Sequence, residues 1–188
     1  MNVPNWITMI RLVSTIVVFA LLAGVADPAA PHGTLTWWAF GLFLFAAITD
    51  FVDGYLARRL NQVSMFGRVF DPFVDKVLIC GTFVMLMPFP ALHDYLPEWF
   101  VVVLVGRELL VTTIRGAAES RGMAFPAERL GKYKMVAQSA TAGAMLGMIA
   151  GTDVFVQVAV WGFWVTLVLT VISGAGYVWK ARALLRDA

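Results

Sequence analysis

Asp50, Asp53, Asp71 and Asp75 fall in two short stretches, Thr49-Asp50-Phe51-Val52-Asp53-Gly54-Tyr55-Leu56-Ala57-Arg58 and Gly67-Arg68-Val69-Phe70-Asp71-Pro72-Phe73-Val74-Asp75-Lys76. On a helix, Asp50, Asp53, Gly54, Ala57 and Arg58 share one face, and Gly67, Asp71 and Asp75 form a stripe, each a turn from the next. Two such helices joined by a short connection would pack antiparallel and bring the carboxylates together. Clustered carboxylates repel one another and resist desolvation, so they call for a counter-charge. One or two divalent cations would supply it, and an all-oxygen donor set favours Mg2+ or Mn2+ over metals that prefer thiolates. Gly54, Ala57 and Gly67 are small and sit beside the acids, which leaves room for a ligand, and Arg58 can pair with a phosphate. A lone interfacial aspartate is usually just solvated, and small residues in membrane helices usually serve close packing. That plainer reading suffices for Gly143, Gly147 and Gly151, but it gives no reason for acids on two facing stripes.

The elements that must carry these residues are apolar. The chain has 188 residues, of which 60% are hydrophobic and 14% charged, with a mean hydropathy of +0.80. A soluble globule is closer to half apolar and a quarter charged, so much of this surface should face lipid. Apolar runs at approximately Trp6–Val25, Leu35–Ala57, Phe73–Met87, Trp99–Ala118, Met135–Ala150 and Val154–Lys180 are read as helices long enough to span a bilayer. The third is short, and a start upstream near Ser64 would lengthen it. The first is read as a span rather than a signal peptide, since it has no small-residue cleavage pattern. Pro and Gly break the chain at Asp27–Gly33, Pro88-Phe89-Pro90 and Pro97. Residues 1–188 are read as one domain. Cys80 is the only cysteine, so no intramolecular disulfide can form.

Charge placement orients these runs. All 14 Lys and Arg residues lie near the N-terminus, around the second and fourth connections, or at the C-terminus. The first, third and fifth connections hold Asp27, His32, His93, Asp94, Glu98 and Asp153, without Lys or Arg. The positive-inside rule then places both termini and the even connections in the cytoplasm. The expected fold class is an all-α integral membrane protein with six transmembrane helices and both termini cytoplasmic. The carboxylate cluster would lie just inside the cytoplasmic boundary.

The stretch from Asp50 to Asp75 reads D-x2-D-G-x2-A-R-x8-G-x3-D-x3-D, which resembles the signature of the CDP-alcohol phosphatidyltransferase family at every fixed position. The resemblance implies transfer of a phosphatidyl group from CDP-diacylglycerol to an alcohol, with release of CMP. It implies that Asp50, Asp53, Asp71 and Asp75 hold the divalent metal, with Asp75 also the general base on the acceptor hydroxyl. Gly54, Ala57, Arg58 and Gly67 would line the cytidine diphosphate site. A multi-pass enzyme of the bacterial inner membrane, its active site facing the cytoplasm, and a homodimer are further implications. Membrane lipid is the expected surrounding, and no nucleic-acid partner is expected.

The signature leaves the acceptor open. Arg107 lies deep in the fourth run with Glu108 beside it, and Arg115 falls within roughly 80° of it on a helix. Lys132 and Lys134 lie near the start of the fifth. Arg115, Lys132 or Lys134 taken singly would serve as positive-inside anchors, but Arg107 at its depth needs an anionic partner or a wet cavity. Four cations near a phosphoryl-transfer site point to an acceptor with its own phosphate. The opening Pro4-Asn5-Trp6-Ile7-Thr8-Met9-Ile10-Arg11, together with Arg107-Glu108, Arg115 and Gly131-Lys132-Tyr133-Lys134, is similar to the branch of the family that uses glycerol-3-phosphate. That similarity implies Asn5 and Thr8 near the nucleotide, and Arg11, Arg107, Arg115, Lys132 and Lys134 on phosphate. Met135 departs from the branch, which often has Thr there. The alternatives are a relative using inositol phosphate or phosphatidylglycerol and, more remotely, an ion-coupled transporter. Against the transporter, the four acids cluster at one end with no acidic ladder across the membrane.

Overall fold

The computed structural model describes the backbone of residues 3–31, 33–60, 65–120 and 129–186, and the side chains of residues 5–31, 33–50, 70–120 and 130–182. The described residues are all-helical: α1 Val3–Ala23, α2 Thr34–Leu60, α3 Met65–Leu86, α4 Glu98–Ser120, α5 Arg129–Ile149 and α6 Val156–Arg186, with short 3-10 turns at Pro90–Leu92 and Asp153–Phe155. Each expected run corresponds to one helix. The third does start upstream, at Met65. The fifth starts at Arg129, earlier than its apolar run, so Lys132 and Lys134 lie within the helix rather than in a connection. Polar residues at helix ends dilute hydropathy without breaking backbone hydrogen bonding, which is why an apolar run understates a helix.

Pro4 stands in the first turn of α1, where a missing N–H takes nothing from the helix. α3 continues through Pro72, and the Lys76 ammonium donates to the Pro72 carbonyl at 2.9 Å. At the other end of the bundle α5 stops where Gly151 takes φ 95°, a conformation open to glycine, and the chain turns into α6.

α1 packs against α2 and α3, α5 against α6, α2 and α3, and α4 against α6 and α3. One apolar core joins all six helices through Val18 and Leu22, Phe43, Phe83, Phe100, Met145 and Leu146, and Phe163. The Phe100 ring lies 5.7 Å from Phe83 and 4.8 Å from Phe163, centroid to centroid, fastening α3, α4 and α6 together. Close approach is built on glycine. A Cβ at Gly81 would come within 2.2 Å of the Phe19 ring, and one at Gly147 within 2.3 Å of Phe155.

Outside this core the usual distribution is reversed. Trp6, Trp38, Val102, Trp161 and Trp179 are exposed, whereas Thr8, Arg11, Arg107, Glu108, Lys134, Gln138 and Ser173 are buried. Water as the surrounding solvent would favour the opposite arrangement, so this surface is consistent with a membrane protein. Among the described residues, Asn5–Ala23 and Asp153–Arg182 are long and apolar enough to cross a bilayer, each with mean hydropathy 2.1. Apart from Arg11 on α1, the charged residues of the two clusters described next lie on the other four helices.

Candidate active site

α1, α2 and α3 build the first cluster. Thr8 and Arg11, one turn apart on α1, face Asp71 and Asp75, one turn apart on α3. The Thr8 hydroxyl donates to the Asp71 carboxylate. Arg11 is 1% exposed, and its Nη1 pairs with Asp50 at the charged end of α2 and with Asp75 Oδ1 at 2.7 Å. Thr15 Oγ1 donates to the Arg11 carbonyl at 2.8 Å, steadying the backbone that carries the guanidinium. The cluster brings Asp50, Asp71 and Asp75 from two helices onto one helix, α1. Asp53, Gly54, Ala57 and Arg58 lie on α2 and Gly67 on α3, but their side chains are outside the described residues.

Asp50, Asp71 and Asp75 offer carboxylate oxygens, with the Thr8 hydroxyl adjacent, and this is a donor set for a hard cation. Among the described residues no three acidic, histidine or cysteine groups close around a common point. The positive charge between Asp50 and Asp75 is the Arg11 guanidinium. Half-buried carboxylates gathered around one point are stabilised by such a counter-charge.

α4, α5 and α6 build the second cluster. Glu108 Oε1 accepts from Arg107 Nη1 at 3.1 Å and from the Lys134 ammonium. Arg107 Nη2 donates to Ser173 Oγ at 3.0 Å, and its guanidinium carbon lies 5.7 Å from the centre of the Tyr177 ring. Arg107 thereby meets both an anion and a ring face, the compensation a buried guanidinium needs. Gly174 makes the approach possible, since a Cβ there would stand 3.1 Å from Arg107 Cγ. Arg115 is half-buried farther along α4, Lys132 is exposed on α5, and Asn5 is half-buried in the first turns of α1.

α3 touches both clusters. It carries Asp71 and Asp75 and also packs against α4 and α5, the helices of Glu108 and Lys134. The sequence points to Glu108 only as the neighbour of Arg107, and to Ser173 and Tyr177 not at all. A signal for the last two exists: Thr166, Thr170, Ser173 and Tyr177 recur at three- and four-residue intervals, giving one polar face to an otherwise apolar helix.

Residues 1–172 match the family described as CDP-alcohol phosphatidyltransferase. The chain belongs to that family. The matched segment includes every acid and cation of the two clusters and ends one residue before Ser173. Among curated relatives, the CDP-diacylglycerol–glycerol-3-phosphate 3-phosphatidyltransferase of Bacillus subtilis is 34% identical, covering 100% of this chain and 98% of the relative. The Pseudomonas fluorescens protein of the same name is 32% identical over 100% of this chain and 90% of the relative. A probable phosphatidylglycerophosphate synthase of Mycobacterium tuberculosis is 35% identical over 97% and 82%. In this family member, the two clusters therefore belong to one continuous domain-length match rather than to an isolated motif.

Proposed function

We propose that the protein transfers the phosphatidyl group of CDP-diacylglycerol to glycerol-3-phosphate, giving phosphatidylglycerophosphate and CMP. The observation that carries the acceptor assignment is the second cluster. Buried Arg107 and Lys134 share the single carboxylate of Glu108, so the group holds excess positive charge suited to an anionic acceptor. End-to-end relatives bearing the name of this activity support the same reading.

Asp50, Asp53, Asp71 and Asp75 are the residues to hold Mg2+ or Mn2+, and the bound cation would neutralise charge on the pyrophosphate. Asp75 is assigned as general base, taking the proton of the acceptor hydroxyl. The acceptor oxygen then forms its bond to the lipid-side phosphorus as the bond to CMP breaks. Asn5, Thr8, Gly54, Ala57, Arg58 and Gly67 are assigned to the CDP-lipid. Arg11, Arg107, Arg115, Lys132 and Lys134 are the candidates for acceptor phosphate. Arg11 already joins two site carboxylates, so its phosphate contact would be made from within the acidic cluster.

The chain would be a single domain of six spans in the bacterial inner membrane, both termini and the site on the cytoplasmic side, working as a homodimer. This setting keeps the donor's acyl chains in lipid while its head group and CMP reach water. Purified protein should release CMP from CDP-diacylglycerol only when both a divalent metal and glycerol-3-phosphate are present. Equal or greater release with inositol phosphate, serine or phosphatidylglycerol would overturn the acceptor assignment. Vectorial ion movement without CMP release would instead favour a transporter.

A further inference from the structure

The Arg107–Glu108–Lys134 group contains a carboxylate that the proposed reaction does not use. Its Oε1 is shared by cations from different helices, Arg107 on α4 and Lys134 on α5. Arg107 is fixed from a third side by Ser173 and by the space at Gly174. Two positive charges brought this close repel unless a common counter-charge holds them, and the repulsion is stronger away from water. One carboxylate against two cations leaves positive charge in excess in a place solvent reaches poorly: Arg107 and Glu108 are each 9% exposed and Lys134 6%. The arrangement is also unfinished. Arg107 Nε is buried with no acceptor among the described residues, and Lys134 uses one of its N–H donors on Glu108. A buried donor without an acceptor is unfavourable, and an incoming anion would relieve both the excess charge and the missing acceptor.

We infer that Glu108 is a positioning residue: its carboxylate sets Arg107 and Lys134 side by side so that α4 and α5 receive the acceptor's phosphate together. The inference deepens the acceptor assignment above and rests on it. A carboxylate that only made Arg107 tolerable in the membrane would, when removed, lower stability and disturb both substrates alike. A positioning residue acts on the acceptor selectively.

The test is steady-state kinetics of the purified full chain, with both substrates varied, for wild type, Glu108→Gln and Glu108→Asp. Loss of a charged hydrogen-bond partner should raise the glycerol-3-phosphate KM about 10- to 100-fold in Glu108→Gln. The CDP-diacylglycerol KM should stay at its wild-type value, and Glu108→Asp, which keeps the charge, should fall between. An unchanged acceptor KM, or a parallel rise in both KM values, overturns the inference. If Glu108→Gln does not fold, Glu108→Asp must still show the selective rise, and a wild-type acceptor KM there overturns it. Failure of the acceptor assignment itself looks different: wild type would release no CMP with glycerol-3-phosphate. Protection against thermal unfolding by inorganic phosphate then decides the role of Glu108. Protection in wild type that is lost in Glu108→Gln upholds it, whereas equal protection in both, or none in wild type, overturns it.

Discussion

The two charged clusters are built on the same plan with opposite sign. In the first, one buried cation, Arg11, joins the carboxylates Asp50 and Asp75. In the second, one buried anion, Glu108, joins the cations Arg107 and Lys134. In each, a single ion of the minority charge holds two of the majority, and the charge left over has the opposite sign in the two places. Leftover negative charge suits a metal cation, and leftover positive charge suits a phosphate. The surroundings differ too. The acidic cluster is partly open, with Asp75 25% exposed at its side chain, whereas the basic one is closed in by Ser173, Gly174 and Tyr177 of α6. A site that must admit metal and nucleotide needs access, while one that selects a small anion gains from enclosure, where charge–charge interactions are stronger.

If the first cluster carries the chemistry and the second the acceptor, perturbing them should give different kinetic signatures. The largest effect is expected from metal removal: chelation should bring CMP release to background, and Mg2+ or Mn2+ should restore it. Activity that survives exhaustive chelation would remove the metal from the account. Asp75→Asn comes next. Loss of a general base should lower kcat by about 10²- to 10⁴-fold with the acceptor KM little changed. Retained kcat would take Asp75 out of the base role. On the other side of the comparison, Arg107→Lys keeps the charge but not the planar fork that spans Glu108 and Ser173. It should raise the glycerol-3-phosphate KM about tenfold, near the value of one charged hydrogen bond, while kcat moves less. A fall in kcat alone would merge the two clusters into one. The smallest effect is expected at Thr8→Val, which removes the hydroxyl that Asp71 accepts from. A loss of about 0.5–1.5 kcal/mol in kcat/KM, without a change in acceptor KM, would keep Thr8 with the acidic cluster.

Much of this was readable in the sequence, for physical reasons. Helical periodicity put Asp71 and Asp75 on one face, and hydropathy located six helices, because both depend on local spacing. The ends of α5 were harder, since Lys132 and Lys134 sit in a helix whose first turns are polar. The pairings were harder still. Arg11 stood out as a basic residue near the N-terminus, but its partners Asp50 and Asp75 are set by how α1 packs between α2 and α3. Glu108 was visible only as a neighbour of Arg107, because its pairing with Lys134 of α5 is a tertiary contact between side chains that periodicity does not encode. Ser173 and Gly174 had even less voice: their roles follow from the approach of Arg107 to α6. Lys134, taken alone, fits a positive-inside anchor as well as a ligand, and only its burial beside Glu108 separates the two.

The division of labour between the clusters is tested most directly at Lys134, which belongs wholly to the basic one. Lys134→Gln should be measured with each substrate varied in turn at saturating metal. The account predicts a rise in the glycerol-3-phosphate KM of about tenfold or more, the scale of one charged contact, with the CDP-diacylglycerol KM unchanged. A variant whose acceptor KM stays at the wild-type value, or whose donor KM rises with it, would contradict the account.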